Sequence, residues 1–393
     1  MTDFTINNKE YYNNIKGNNQ QLKILLVSPY HGGSHAAWAE GFRRYSQHEI
    51  TLISLPARFW KWRMHGGAVT LSREVLKTRP DVDLIFATDM LDLTTFLALT
   101  RHHYPTVPSV LFMHENQLTY PLPNEKQEGP MRRQKGERDK HYAFINYVSM
   151  MATDQIFFNS SYHQQALLAE LPSFLRNFPE FNEEETVSVL AKKSAVLPVG
   201  IDFRRLGQRP TGKSNGEAPL IIWNQRWEYD KNPTAFFESI YTLADEGVPF
   251  RLAICGQRFR QRPTEFEEAA YRLDSKLVYY GYANFDTYRS LLWQADIVVS
   301  TAFQEFFGIS IAEAIFCQAF PILPRRLSYP ELLPVKFHDS CLYDAHAELL
   351  NRLRWTLSNP SPAAKIAQEL SKEISKYDWS EVAPLYDKML SGI

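Results

Sequence analysis

The sequence predicts an α/β protein with two successive Rossmann-like halves, each built on a parallel sheet. Short runs of Val, Ile, Leu and Phe alternate with helical patterns along most of the chain, which is typical of parallel βαβ units. The pattern stops at a polar segment with Gly and Pro, residues 204–218, and then begins again. The 393 residues are sufficient for two domains. In such a pair the sheets are expected to face a central cleft, where strand carboxyl ends point and ligands bind.

The spacing of hydrophobic residues predicts where each strand and helix lies. In the first half we expect strands at 22–28, 49–55, 83–87, 108–113, 155–158 and 196–199, and helices from 34 and over 73–79, 95–101 and 141–153. In the second half we expect strands at 220–224, 250–255, 277–280, 296–300 and 319–323, and helices over 233–245, 263–273, 286–294, 310–317, 345–358 and 362–376.

These elements divide the chain into domains. We expect a disordered lead-in at 1–20, an N-terminal domain at 21–203, a linker at 204–218 and a C-terminal domain at 219–376. The last segment, 377–393, is a candidate for crossing back to the N-terminal domain.

Composition and charge exclude several classes of protein. The hydrophobic content of 44% excludes a disordered chain, and a net charge of −1 gives no general attraction to nucleic acid. The three cysteines have irregular spacing, so no disulfide framework or zinc signature is expected. No signal peptide and no apolar run long enough to span a membrane are visible. We therefore expect a cytoplasmic protein with no membrane contact and no obligate protein partner.

Two carboxylates flank an aromatic and glycine turn in the second half, in the run EFFGISIAE. Glu305 lies at a strand-to-helix turn, and Glu313 lies about one turn inside the following helix. Gly308 allows a close backbone approach, and the amides of Phe307, Gly308 and Ile309 would favour an anionic group. Carboxylates also suit sugar hydroxyls. Glu305 as a simple partner of the helix dipole is the alternative.

A second cluster of charges follows the first strand of that half, in NQRWEYDKNP. Arg226 and Lys231 are placed to neutralise a diphosphate leaving group by fixed positive charge. Alternatively, they pair with Glu228 and Asp230 on a solvent-exposed turn.

The first half carries two polar turns at expected strand ends. Gly32 and Gly33 permit close approach to the diphosphate, with Ser34 as an expected helix cap, although an ordinary capped turn is the alternative. A second polar run follows the strand PSVLFM, where polar groups are costly to bury unless they line a site. This run is the candidate acceptor site and consists of His114, Glu115, Asn116 and Gln117. The histidines match no common metal signature, so we expect no metal and no cofactor.

These motifs resemble glycosyltransferase family 4. In that family an E-x-F-G-x-x-x-x-E element resembles Glu305 to Glu313, and a basic pair resembles Arg226 and Lys231. The resemblance implies a GT-B architecture, with Glu305 on the donor sugar and Glu313 on the nucleotide ribose. One departure is Gln318, where many members have Gly.

A narrower resemblance, to the tRNA-queuosine α-mannosyltransferase group, rests on several longer runs. They are SPYHGGSH, LPARFWKWR, FNSSYH and, most diagnostic, HENQLTYP at 114–121. This resemblance implies that mannose is moved from GDP-mannose to the queuosine base of tRNA(Asp), with retention of configuration.

Basic and aromatic residues offer contacts for such a tRNA. Residues 124–141 are interpreted as a flexible basic loop, in which Arg132 and Arg133 would contact phosphates. Trp60 and Trp62, expected to be exposed, flank Lys61 and Arg63 in a similar loop, and aromatic rings beside Arg63 would stack on an unpaired base. The alternative is that these loops are only solvated.

Together the residues predict a metal-independent transferase in which His114, Glu305, Arg226 and Lys231 carry the chemistry. The acceptor hydroxyl would approach near the HENQ segment, and the leaving phosphate would take its proton. The alternatives are a family 4 enzyme with a glycan, lipid or small-molecule acceptor, and a sugar-nucleotide epimerase or phosphorylase on the same scaffold.

Overall fold

A computed structural model describes residues 21–121, 130–209, 217–256 and 264–393, without the side chains of 130–139. These residues form two compact units: one runs to Ile201 and includes Trp379–Ile393, and the other is Asp202–Asp378. Within them each unit has a six-stranded parallel sheet, so the predicted α/β class with two Rossmann-like halves is confirmed.

The first unit is built on a sheet of strands β1 to β6 in the order β2-β1-β3-β4-β5-β6. The strands are short, apolar and mostly buried on both faces, as covered parallel strands are. They are β1 (Lys23–His31), β2 (Glu49–Pro56), β3 (Leu84–Thr88), β4 (Ser109–Met113), β5 (Gln155–Phe158) and β6 (Ser194–Val196). The helices are α1 (Gly33–Tyr45), α2 (Trp60–Thr78), α3 (Leu93–Thr100), α4 (Pro130–Ala152), α5 (Ser161–Leu175) and α6 (Thr186–Lys192).

The second unit repeats the plan with strands β7 to β12 in the order β12-β11-β10-β7-β8-β9. The strands are β7 (Leu220–Trp223), β8 (Arg251–Cys255), β9 (Leu277–Gly281), β10 (Ile297–Val299), β11 (Phe320–Pro324) and β12 (Leu342–Tyr343). The helices are α7 (Pro233–Asp245), α8 (Glu265–Arg272), α9 (Phe285–Gln294), α10 (Ile309–Phe316), α11 (Tyr329–Leu332), α12 (His338–Cys341), α13 (His346–Ser358) and α14 (Pro360–Ile374). Short 3-10 helices occur at Phe203–Leu206, Tyr229–Lys231, Asp274–Lys276, Val335–Phe337 and Ser375–Tyr377.

Three local expectations were wrong. The segment around Trp60 is not a loop, because α2 begins there, well before the expected start at residue 73. Residues 130–141 are helical in α4 rather than part of a loop, whereas 122–129 lie outside the described residues. Strand β6 ends at Val196, before Pro198, which has no amide hydrogen to donate.

The structured part of the second unit also begins earlier than the sequence indicates. The 3-10 helix Phe203–Leu206 falls in the expected linker, but Leu206 is buried and Phe203 stacks on Phe316 with ring centroids 4.4 Å apart. Residues 210–216 of the expected linker lie outside the described residues, as does the lead-in at 1–20.

The departure at Gln318 has a visible backbone consequence. Gln318 lies two residues after the end of α10 and has φ of 68°, the left-handed region in which Gly is favoured. Its side-chain oxygen accepts a hydrogen bond from Arg209 at 2.8 Å, which helps to hold a conformation that a non-glycine residue adopts at some cost.

The C-terminal helix, α15 (Trp379–Leu390), completes the core of the first unit. Trp379 is buried, and its indole fills the space that glycine leaves at two positions. A Cβ atom added at Gly41 or Gly200 would lie 2.0 or 2.3 Å from the indole. Tyr386 accepts a hydrogen bond from the indole nitrogen of Trp38 at 2.9 Å. Among the described residues, no helix is long and apolar enough to cross a membrane.

We predict that Trp379→Ala lowers the free energy of unfolding by about 3–5 kcal/mol, because it empties a closed site between two glycines. Urea unfolding followed by circular dichroism measures the loss. The control is Trp62→Ala, since Trp62 is 62% exposed in the same unit, and its loss should stay below about 1 kcal/mol. Equal losses for the two variants would contradict this account of the packing.

Candidate active site

The first polar turn of the second unit is fixed by its own sequence. Strand β7 ends at Trp223, and residues 229–231 form a 3-10 turn that ends at Asn232. Asn232 has φ of 50° and caps α7, with its side chain accepting from the amide of Ala235 at 3.4 Å. Pro233 then occupies the first turn of the helix, where its missing amide hydrogen is not needed. Asn-Pro thus places the charged residues before it at the carboxyl edge of the sheet.

Lys231 is a buried cation held by two carboxylates. Its side chain is 7% exposed, and its Nζ lies 3.2 Å from Asp230 Oδ2 and 3.3 Å from Glu305 Oε2. The same Nζ donates to the carbonyl of Gln304 at 2.7 Å. The backbone amide of Phe303 also donates to the carbonyl of Asp230 at 2.8 Å. The turn at 229–231 and the segment before α10 are therefore joined through both backbone and charge.

Arg226 lies beside this cluster but in a more open setting. Its guanidinium is 45% exposed and lies 2.9 Å from Glu228 and 3.5 Å from Asp230. The ion pairs of the alternative interpretation therefore exist, but Asp230 is only 1% exposed and Lys231 is buried. This arrangement is not a solvated surface turn, and it leaves Arg226 as the accessible cation of the pair.

The EFFGISIAE segment forms the second polar turn. Gly308 has φ of 96° and precedes the first residue of α10, Ile309. A Cβ there would meet Leu332 at 3.3 Å and Tyr329 at 3.4 Å, so both the backbone and the space favour Gly. The carboxylate of Glu305 accepts from the amide of Phe307 at 3.5 Å. Its side chain is 20% exposed, so Glu305 can still be reached by a ligand.

Glu313 points from α10 into a buried polar cluster. Tyr288 donates to Glu313 Oε2 at 2.8 Å, and Arg205 lies 3.5 Å from Oε1. Burial raises the pKa of Glu313, while Arg205 and the Tyr288 hydrogen bond act in the opposite direction. Arg205 also lies over the ring of Phe285, 4.7 Å from its centroid. Neither Tyr288 nor Arg205 was predicted from the sequence.

Three buried polar atoms at this edge have no hydrogen-bond partner among the described residues. They are the Oδ1 of Asn224 and the Oε1 of Gln225, directly after β7, and the Nε2 of Gln304, directly before Glu305. The Nδ2 of Asn224 is engaged, donating to the carbonyl of Ser310 at 2.7 Å. Buried polar atoms are usually paired, so unpaired ones beside a charged cluster indicate a ligand site.

In the first unit, the glycine turn is shaped by close packing. Gly32 precedes α1, and a Cβ there would lie 2.5 Å from the Cβ of Ala57. Gly33 has φ of 53° with nothing within 4 Å of its Cβ position, so it faces open space. Ser34 lies inside the first turn of α1 and makes no capping hydrogen bond, so the expectation that it caps the helix was wrong.

His114 follows β4 and is enclosed by aromatic rings. Its centroid lies 4.5 Å from that of His35 and 4.7 Å from those of Trp38 and Phe112. Burial, followed by nearby His35 and His163, lowers the pKa of His114 well below its ordinary value. Its Nε2 is buried without a hydrogen-bond partner among the described residues. A lowered pKa makes the neutral ring a weak base, so His114 is suited to hydrogen bonding rather than to proton abstraction.

Asp89 was not predicted from the sequence. It directly follows the neighbouring strand β3 and supports this loop. Its Oδ1 accepts from the backbone amide of His114 at 2.9 Å. Burial and nearby Glu115 raise the pKa of Asp89 well above its ordinary value. The sequence did contain one indication of this role. Asp89 directly follows a buried strand, where burying a carboxyl group is energetically unfavourable unless it makes hydrogen bonds.

The rest of the HENQ segment divides into inward and outward residues. Asn116 is fully buried, and its side-chain oxygen accepts from the amides of Leu118 and Thr119 at 3.0 and 2.8 Å. Asn116 thus shapes the loop, as Asx turns do. Gln117 and Glu115 are half-buried and bond to each other at 2.9 Å, so they are the members that a ligand could reach.

The predicted tRNA contacts are placed as follows. Trp60 is half-buried, with its ring 5.2 Å from Tyr142. Arg63 donates from Nε and Nη2 to the carbonyl of Pro56, each at 3.2 Å. The side chains of Arg132 and Arg133 lie outside the described residues. No three His, Cys, Asp or Glu side chains among the described residues are grouped to hold a metal ion.

This fold and site define a class of enzyme. Solved structures with the same fold include Anabaena HepE in complex with UDP and glucose (TM-score 0.66, 15% identity, covering 95% of this chain and all of that one). Another is sucrose-phosphate synthase from Thermosynechococcus elongatus (TM-score 0.69, 12% identity, covering 94% and 98%). Residues 206–376 match the model of glycosyl transferases group 1. The protein is a glycosyltransferase with the GT-B fold.

The particular family is shown by the first unit and by a relative. Residues 23–201 match the model of the tRNA-queuosine alpha-mannosyltransferase N-terminal domain. The chain is 33% identical over 322 residues to the tRNA-queuosine alpha-mannosyltransferase of Drosophila melanogaster, covering 79% of this chain and 81% of the relative. The chain belongs to the tRNA-queuosine alpha-mannosyltransferase family.

We predict that Lys231→Met lowers the free energy of unfolding by about 3–5 kcal/mol, because it removes the buried cation closest to the buried carboxylate of Asp230. The control is Arg226→Met, whose half-exposed pairs contribute about 1 kcal/mol or less. Urea unfolding followed by tryptophan fluorescence compares the two. A loss at Lys231 no larger than at Arg226 would show that the buried pair does not organise this turn.

Proposed function

We propose that this enzyme transfers mannose from GDP-mannose to the queuosine base of tRNA(Asp), with retention of configuration and without a metal ion. The donor side is supported by Lys231, a cation fixed before any ligand binds; this observation carries the proposal. The acceptor side is supported by the name of the Drosophila relative, which specifies mannose and tRNA-queuosine. GDP and tRNA(Asp) rest on the sequence resemblance. A tRNA substrate suits a cytoplasmic enzyme that acts without a membrane.

The proposed chemistry needs charge stabilisation more than proton transfer. The bond between the sugar C1 and the phosphate oxygen breaks, and the diphosphate that leaves gains negative charge. Lys231 and Arg226 stabilise that charge, and the helix amides at Phe307 to Ile309 add to the positive potential. Because Lys231 is already held in place, little reorganisation is needed at the moment of reaction.

Glu305 and Glu313 divide the remaining donor contacts. The 20% exposed carboxylate of Glu305, held by contacts of 3.3 and 3.5 Å, can accept hydrogen bonds from hexose hydroxyls. Glu313 would accept from the ribose through Oε1, which has only the longer, 3.5 Å contact with Arg205 among the described residues, whereas Oε2 accepts from Tyr288 at 2.8 Å. The unpaired Oδ1 of Asn224 and Nε2 of Gln304 are further candidate donor contacts.

The acceptor is proposed to meet the loop at His114, Glu115 and Gln117. The new bond joins the acceptor oxygen to C1, and the acceptor proton passes to the departing phosphate oxygen on the same face. A neutral His114 fits this route, because it can orient a hydroxyl without taking its proton. Gly32 and Gly33, with their open backbone, remain candidates for the diphosphate.

The direct test is a transfer assay in the presence of a chelator. The protein is incubated with GDP-mannose and queuosine-containing tRNA, and the digested nucleosides are weighed by mass spectrometry. We expect a hexose on queuosine only, with none from UDP-sugars and none on tRNA without queuosine. Transfer to another acceptor, release of free sugar phosphate without an acceptor, or dependence on added metal would contradict the proposal.

A matched pair of variants tests the donor site in that assay. Glu305→Gln is expected to lower kcat/KM by about 100-fold or more, because the neutral amide replaces a charged acceptor at the reacting sugar. Glu369→Gln, at an exposed pair with Lys336, should leave the rate unchanged. Full activity of the Glu305 variant would remove this residue from the mechanism.

The pH dependence of nucleotide binding should report Glu313. Since its pKa is raised by burial, the carboxylate is lost on acidification at a higher pH than for an ordinary glutamate, and GDP affinity should fall with it. Arg205→Met removes a group that lowers this pKa, so the fall should begin at still higher pH. Calorimetric titration across pH measures both.

Glu313→Gln is the control for this titration, because an amide cannot ionise and the acid-side loss of affinity should disappear. An unchanged pH profile in both variants would assign the dependence to another group.

A further inference from the structure

Two large aromatic side chains are exposed where α2 begins. Phe59 is 78% exposed and Trp62 is 62% exposed. Phe59 directly precedes the first residue of α2, so the two side chains are three positions apart in the sequence at one end of the helix. Single exposed hydrophobic residues are common, but two large exposed aromatic side chains so close together in one turn indicate a contact surface. We call residues 56–63 the aromatic turn.

The backbone is specialised to present these rings. Phe59 has φ of 51°, an uncommon conformation for a bulky residue, and its carbonyl accepts from the amides of Trp62 and Arg63 at 2.8 and 3.1 Å. The Trp62 ring lies against the backbone of α2 at Gly66. A Cβ atom at Gly66 would be 2.5 Å from that ring, so any other residue would displace it.

The charged residues within the aromatic turn are all positive. The sequence has no acid between Glu49 and Glu74, whereas Arg58, Lys61 and Arg63 lie within the aromatic turn. The Arg63 guanidinium is oriented by two contacts to the carbonyl of Pro56. Exposed rings interleaved with cations are the features that bind unpaired nucleotides, through base stacking and phosphate contacts.

The aromatic turn lies at the same sheet edge as the HENQ loop. Pro56 ends β2 and is in register with His31 at the end of β1, and Ala57 packs against Gly32. From there, ring contacts run from Tyr30 to His35 at 5.7 Å and from His35 to His114 at 4.5 Å. A ligand whose reacting group sits at His114 can therefore extend along this edge toward the rings.

We propose that Phe59 and Trp62 stack on unpaired bases of the RNA loop that carries the acceptor, while Arg58, Lys61 and Arg63 contact its phosphates. The identity of that RNA as a tRNA rests on the proposed function, but base stacking on this turn does not. Of the two tryptophans that the sequence predicts to stack, Trp62 is the exposed one, whereas Trp60 is half-buried and packs next to Tyr142.

The test measures binding of a fluorescently labelled RNA hairpin with an unpaired loop, and of a fully paired duplex, by anisotropy at fixed salt. Phe59→Ala and Trp62→Ala should each weaken hairpin binding by about 10- to 100-fold, with a much smaller effect on the duplex. Trp62→Phe should retain most of the affinity, because a stacking face remains. GDP binding and the melting temperature should be unchanged in every variant.

Phe181→Ala is the matched control. Phe181 is 86% exposed in the same unit and also has a left-handed backbone, with φ of 49°, but Glu180, Glu183 and Glu184 surround it. It lies between α5 and α6, which return from β5 toward the opposite edge of the sheet. Its variant should bind the hairpin as the unmodified protein does.

The outcomes separate this inference from the proposed function. Hairpin binding that is lost at Trp62 and Phe59 but not at Phe181 supports stacking, even if transfer to queuosine tRNA fails. Equal hairpin affinity in all variants overturns the stacking surface, even if transfer succeeds. Equal losses for hairpin and duplex would also overturn it, because they would indicate charge alone.

Discussion

The burial of the Lys231 ammonium is the constraint on which the candidate donor site depends. An isolated cation in that position would be strongly unfavourable, so Asp230 and Glu305 must both be present, with the Gln304 carbonyl completing its contacts. These contacts join two turns more than seventy residues apart in sequence. The same contacts leave Glu305 partly exposed, and its carboxylate accepts a hydrogen bond from the backbone amide of Phe307, just before α10. Fixing the cation therefore also fixes the carboxylate proposed to hold the sugar.

The two units handle charge in opposite ways. In the second unit, the buried side chain of Lys231 is paired with two close carboxylates. In the first unit, burial favours the neutral forms of His114 and Asp89, because it lowers the pKa of one and raises the pKa of the other. Neutral side chains such as His114 suit hydrogen bonding to an acceptor hydroxyl, whereas a fixed cation such as Lys231 suits a leaving diphosphate. Three cations of the first unit, Arg58, Lys61 and Arg63, lie instead beside Phe59 and Trp62, where an RNA would need them.

The features that could be predicted from the sequence are those determined by short-range patterns. The fold class, most strands and the polar turns that contain Arg226 and Glu305 follow from apolar runs that end in Gly, Pro and charged residues. The sequence could not predict Arg205, Tyr288 or Asp89, because their roles depend on partners 108, 25 and 25 residues away in the chain. Trp60 was predicted to lie in a loop, and Gly66 and Gly67 interrupt the local helical pattern where α2 begins. The structure shows that Gly66 instead makes room for the Trp62 ring. Exposure of one tryptophan over its neighbour is set by packing against Tyr142, which no local pattern encodes.

Binding measurements alone can test whether Lys231 is preorganised for a diphosphate. Calorimetry would compare GDP with guanosine for the unmodified protein and for Lys231→Met, at a temperature where circular dichroism shows both to be folded. We expect GDP affinity to fall by about 10- to 100-fold in the variant, with guanosine affinity little changed, since only the charged group loses a partner. Equal GDP affinity in the two proteins would contradict the claim and leave Lys231 with a structural role alone.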